Sequence, residues 1–134
     1  MTRPCFLVVD REYSGSISTR KLVIETAKFN VLTAYSAEEA VETLKRFPAV
    51  DAIILDAEMP GVSCPDMVRS LKQIVSATPI IIVHRPLSEP CQGADYHLDT
   101  FDPRELLGLL QKLCPEEAKA VEERNEALKD KEKE

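Results

Sequence analysis

The chain has 134 residues, of which 44% are hydrophobic and 30% charged. That balance suits one globular domain able to bury about two thirds of its unfolded surface. A net charge of −6, with 5% aromatic residues and no tryptophan, argues against a domain that neutralises phosphates or stacks bases. No apolar run approaches the roughly 20 residues of a membrane span, and the opening Met1-Thr2-Arg3-Pro4 does not fit a signal peptide. Neither a nucleic acid nor a membrane is expected as a partner. Cys5, Cys64, Cys91 and Cys114 lie far apart without C-x-x-C spacing. Free thiols in a reducing cytoplasm are therefore expected, not a zinc site or a disulfide framework.

Residues 5–9 form a short apolar run ending at Asp10, the pattern of a buried parallel strand. Ser14, Gly15 and Ser16 make a turn before a helix through about Lys28, with Ile17, Val23, Ile24 and Ala27 inward. Asn30 to Tyr35 is a second, weaker strand. Ser36-Ala37-Glu38-Glu39 is a capping box, in which the Ser36 hydroxyl accepts from the amide three residues on and Glu39 reaches back. The helix it opens spaces Ala37, Ala40, Val41, Leu44 and Phe47 along one face.

Val50 to Leu55 is the third strand, ending at Asp56, and Met59-Pro60-Gly61 is a turn. Pro65 suits the first position of a helix, which runs to about Val75 with Met67, Val68, Leu71, Ile74 and Val75 inward. Pro79 to Val83 is the fourth strand and Tyr96 to Leu98 a short fifth. Pro103 to Cys114 is a helix with Leu106, Leu109, Leu110 and Leu113 on one stripe. Strands separated by helices imply right-handed crossovers and a parallel sheet covered on both faces. Sites in such sheets form at the carboxyl ends of the strands.

Asp10 and Asp56 both end apolar strands and emerge on that edge. In a flavodoxin-like order the first and third strands are neighbours, so the two carboxylates meet. Close carboxylates repel, and such a pair holds a cation or supplies a nucleophile. The plainer alternative is that both simply terminate strands and face water.

Phe6-Leu7-Val8-Val9-Asp10, Ile53-Ile54-Leu55-Asp56-Ala57-Glu58-Met59-Pro60-Gly61, Pro79-Ile80-Ile81-Ile82-Val83, Gly93-Ala94-Asp95 and Phe101-Asp102-Pro103 follow in that order. Over about residues 4–114 the chain resembles the receiver domain of two-component response regulators. The resemblance implies an α/β, doubly wound, five-stranded parallel sheet of order 2-1-3-4-5. It also implies a phosphoryl group passed from a histidine kinase or phosphotransfer protein to Asp56, and no enzymatic turnover. Magnesium would be held by Asp10, Asp56 and the Glu58 backbone, neutralising the phosphoryl oxygens.

The chain departs from that pattern at named positions. Arg11 replaces the second acid after strand one, so magnesium binding is expected to be weakened; Arg11 either pairs with the two aspartates or is a solvated charge. His84, followed by Arg85, stands where the family has a Thr or Ser, and is either an anion contact or an ordinary surface residue. Thr100 falls near the position of the family's phosphate-binding Lys, and His97 at that of a rotating aromatic switch residue. Each lost electrostatic contact of this kind is worth about 2.7–4 kcal/mol. Between His84 and Gly93 there are too few residues, two of them proline, for the usual fourth helix, which is expected to be shortened or lost. That alters the usual output and dimer face.

Residues 1–114 read as the receiver-like domain and 115–134 as a charged helical tail. The tail carries eight acidic and five basic residues. Ala118, Val121, Asn125 and Leu128 follow a 3-4-3 spacing that suits either a short coiled-coil seam or a solvated helix. The reading is a stand-alone, cytoplasmic signalling or protein-interaction module with weak or absent phosphorylation of Asp56. Its partners would be a kinase or phosphotransfer protein, another signalling protein at the altered face or the tail, or a second copy in a homodimer. One alternative is a competent receiver that uses Arg11 or Arg85 for charge neutralisation. A weaker alternative is a haloacid dehalogenase-like phosphatase; that class wants Asp-x-Asp on an early strand, whereas Asp56-Ala57-Glu58 follows the third.

Overall fold

A computed structural model describes residues 4–10, 19–59, 61–83, 91, 93–98 and 103–114, apart from the side chains of 19–22 and 103. Its elements are β1 (Cys5–Val9), α1 (Thr19–Thr26), β2 (Asn30–Ala34), α2 (Ala37–Arg46), β3 (Ala52–Asp56), α3 (Cys64–Ile74), β4 (Ile80–Val83), β5 (Tyr96–Leu98) and α4 (Pro103–Leu113). The strands form one parallel sheet of order β2-β1-β3-β4-β5, the flavodoxin-like arrangement.

β1, β3 and β4 are continuous apolar runs because both of their faces are covered. Leu7, Val9, Ile53, Leu55, Ile80 and Ile82 pack under α2 and α3 with Ala40, Leu44, Met67, Val68 and Leu71. Phe6, Val8, Ile54, Ile81 and Val83 pack on the other face with Ile24 of α1 and Leu106 and Leu110 of α4. Period-two alternation along each strand thus feeds two separate cores.

Local signals set the helix ends. The Ser36 hydroxyl accepts from the Glu39 amide at 3.0 Å, while the Glu39 carboxylate accepts from the Tyr35 amide at 3.3 Å, one residue before the cap. Ser63 caps α3 by accepting from the Asp66 amide at 3.3 Å. Pro65 therefore stands at the second helical position, not the first, and Cys64 at the first. Phe47 does not continue the inner face of α2. It is the C-cap, with φ −131 and ψ 72, so the helical phase ends before it, and the ring is 56% exposed.

Between β4 and β5 the described residues are 91 and 93–95. Among them there is no helix. Instead Cys91, Gly93 and Asp95 run along α3, meeting it one turn at a time. Cys91 is disulfide-bonded to Cys64, with Cα atoms 5.8 Å apart. A Cβ on Gly93 would lie 3.3 Å from Val68 Cγ1, and Asp95 pairs with Lys72 at 2.8 Å. Cys64, Val68 and Lys72 are spaced i, i+4, i+8 and so share one stripe of the helix.

The disulfide corrects the expectation of four free thiols. The two cysteines are 27 positions apart in sequence, but parallel packing brings the start of α3 beside the return segment. Cys5 and Cys114 are not disulfide-bonded. Residues 115–134, the tail, lie outside the described residues.

Candidate functional site

Asp56 is the last residue of β3 and, at 5% exposed, the one buried charged residue among those described. The strand enters with four apolar side chains packed into both cores, and the chain beyond is held by Met59, itself buried. The ladder fixes Asp56 on both sides. Val9 pairs with Leu55 on one side and Val83 with Asp56 on the other, and the Ala57 amide donates to the Val83 carbonyl at 3.0 Å.

Asp10 is the next residue along β1 after Val9, as Asp56 is along β3 after Leu55. The two acids therefore follow paired residues at the carboxyl edge of adjacent strands. The Asp10 amide donates to the Ala34 carbonyl at 3.0 Å, so β2 holds Asp10 as β4 holds Asp56. The Glu58 amide donates to Asp56 Oδ1 at 2.8 Å. That bond turns the chain tightly after β3 and fixes the carboxylate, using one of its roughly four acceptor positions. Glu58 thus reaches the site through its main chain, with its side chain exposed.

His97 lies on β5, exposed, in register with Ile82 of β4. That is two strand spacings from Asp56, roughly 10 Å. Arg11, His84, Arg85 and Thr100 fall outside the described residues. Among the described residues no three His, Cys, Asp or Glu side chains cluster as a metal site. Two carboxylates with a main-chain carbonyl remain a suitable oxygen set for magnesium, which keeps several waters and needs few protein ligands.

A buried carboxylate held at a strand end beside a second acid is equipped to bind a hard cation or attack an electrophilic phosphorus. The profile of the response regulator receiver domain matches residues 6–94, well over half of the chain. The chain belongs to the response regulator receiver family. It is a receiver domain of two-component signalling, and its sheet order is that of the receiver fold.

Solved structures agree with this receiver assignment. Chemotaxis response regulator CheY4 of Vibrio cholerae is 28% identical, with a TM-score of 0.67 over 84% of this chain and 99% of that one. A response regulator receiver domain protein from Clostridium thermocellum is 25% identical, with a TM-score of 0.68 over 93% and 98%. The receiver domain of sensor histidine kinase PA1611 from Pseudomonas aeruginosa, with magnesium coordinated in its active site cleft, shares the fold at 21% identity. Its TM-score is 0.72, over 84% and 98% of the two chains. No curated protein matches this chain at a significant level.

Two features of this receiver escaped the sequence reading. One is the Cys64–Cys91 bond. The other is the Lys72–Asp95 clasp at the far end of the return segment. Lys72 Nζ donates to Asp95 Oδ2 and to the Thr78 carbonyl, each at 2.8 Å, and the Ile80 amide donates to the same carboxylate oxygen at 2.8 Å. Burial pushes the Asp95 carboxyl up, but the bonds from Lys72 and Ile80 and the Lys72 charge outweigh it and hold the group below the ordinary carboxylate range. An Asp after Gly-Ala, just before a strand, was the available signal for such an anchor. At β1, burial and then the nearby Asp51 carboxylate push the Cys5 thiol up, and Asp51 accepts from the Cys5 amide at 2.9 Å.

Proposed function

We propose that this receiver is a cytoplasmic signalling or protein-interaction module in which Asp56 occupies the phosphoacceptor position and phosphorylation is weak or absent. The observation that carries the reading is the burial of Asp56 at the end of β3, beside Asp10 and with the Glu58 amide on Oδ1. Asp10, Asp56 and the Glu58 carbonyl would hold magnesium, which neutralises phosphoryl oxygens when bound. The chain's own residues fix the carboxylate and shield it from water. The weakness is argued from sequence. Arg11, His84 and Thr100 stand where receivers carry the second acid, the hydroxyl and the Lys. Partners would be a histidine kinase or phosphotransfer protein, or a signalling protein on the β4–β5 face or the tail. A second copy in a homodimer is a further candidate.

The test is incubation with acetyl phosphate or beryllofluoride, with and without magnesium, read by intact mass and by amide shifts around Asp56. Modification at least about a hundredfold slower than in a receiver keeping the second acid and the Lys is expected, with any residue of it abolished by Asp56→Asn. Full, magnesium-dependent modification would replace this reading with a competent receiver neutralised by Arg11 or Arg85. Turnover of a phosphate ester lost in Asp56→Asn would instead indicate a phosphatase.

A further inference from the structure

The return segment lies on α3 through three contacts of different chemistry. Asp95 and Lys72 form an ion pair at its lower end, and Gly93 against Val68 is a steric fit at its middle. The Cys64–Cys91 disulfide closes its upper end. Of the three, only the last can be made and broken covalently. Cys91 is 5% exposed and packs in the α2–α3 core, whereas Cys64 is half-buried at the first turn of α3. The pair is therefore asymmetric, with one thiol reachable from solvent and one behind it.

Its position gives the bond leverage. Cys64 opens the helix that follows the Asp56 turn, and Cys91 stands shortly before β5, whose neighbour β4 carries Val83, the register partner of Asp56. Closing the bond ties the start of α3 to the chain entering β5. In the cytoplasmic location proposed above, on which this inference rests, a disulfide is usually transient and redox-responsive.

We propose that Cys64 and Cys91 form a thiol–disulfide exchange site that locks the β4–β5 return segment onto α3, with a small-molecule or protein disulfide as co-reactant. The Cys64 thiolate attacks one sulfur of the incoming disulfide, forming a mixed disulfide and releasing one thiolate. The Cys91 thiolate then attacks the Cys64 sulfur, closing the protein bond and releasing the second. The two thiol protons finish on the two leaving thiolates. The protein dithiol is oxidised and the incoming disulfide is reduced to two thiols. The site does not depend on Asp56 accepting a phosphoryl group.

The full chain is equilibrated in glutathione buffers from reduced to oxidised, quenched with iodoacetamide in denaturant and digested with trypsin. Cleavage places the four cysteines in separate peptides. In the oxidised buffer the Cys64 and Cys91 peptides are expected to be linked, with Cys5 and Cys114 alkylated; in the reduced buffer all four are alkylated, and the change reverses. Reduction should lower the Tm by on the order of 10 °C, given a closed loop of this length. It should also speed amide exchange over Ala94–Leu98 but not over β1. In the Cys64→Ala/Cys91→Ala variant neither readout should respond to the buffer. Four alkylated cysteines in the oxidised buffer, a link through Cys5 or Cys114, or a bond that glutathione cannot reduce in the folded protein would overturn the proposal. So would a wild-type Tm indifferent to redox state. A failed acetyl phosphate response leaves the thiol result standing, so the two readings fail separately.

Discussion

The half of the sheet around β1 and β3 and the half around β4 and β5 solve the same problem by different means. Around β1 and β3, apolar strands are closed by helices that contribute whole stripes: Ala40 and Leu44 from α2, and Met67, Val68 and Leu71 from α3. Between β4 and β5 the described chain returns without a helix, held by one covalent bond, one glycine fit and one ion pair. The first solution spreads its energy over many apolar contacts, each replaceable. The described part of the second relies on contacts of specific chemistry, so single changes and solution conditions act on it strongly. The Asp56 turn lies where the two halves meet.

Substitutions can break that contrast. The largest effect is expected at Leu71, fully buried in the core that serves both halves. Leu71→Ala should cost about 3 kcal/mol in urea denaturation, from lost transfer energy and the cavity left behind. Gly93→Ala should cost about 2 kcal/mol, because φ is +92 and the new Cβ would press on Val68. Adding Val68→Ala should not recover that loss, since it relieves only the contact and leaves the backbone strain. A loss of under 0.5 kcal/mol for Gly93→Ala, measured the same way, would show that the return segment is not held as described.

Smaller effects separate local closure from the clasp. Ser36→Ala removes the N-cap of α2 and should cost about 1 kcal/mol, read by thermal unfolding, with no change in the redox response of the return segment. The Asp95 carboxylate is bound more tightly by the folded chain than by the unfolded one. Its folded pKa is lowered, so its contribution is full above the unfolded value near pH 4 and fades as pH falls through the folded value. Because the side chain is 41% exposed, that contribution is expected below about 1 kcal/mol. Comparing Asp95→Asn with the parent chain by urea denaturation from pH 7 to pH 2 should show a gap that closes only below about pH 4.

Much of this arrangement was legible in residues alone. Buried parallel strands appear as unbroken runs such as Ile53-Ile54-Leu55, and Ser36 and Ser63 mark helix starts by competing for backbone amides. Asp56 was legible because an acid closing such a run is set on the sheet edge by the strand itself. Phe47 misled because periodicity does not say where a helix stops: one residue past Arg46 the backbone leaves the helical phase and the ring turns outward. Cys64 and Cys91 misled because short-range spacing is informative only when both ligands or thiols lie in one local unit.

By itself, then, the amino-acid order determined the strand and helix sequence, the parallel sheet and the placing of Asp10 and Asp56 on one edge, because each follows from periodicity and termination along the chain and from strands alternating with helices. Only the tertiary structure decided that Cys64 meets Cys91, that position 93 must be glycine and that Lys72 clasps Asp95. Those contacts depend on how the segment ahead of β5 lies against α3, a relation between two elements that neither one carries alone.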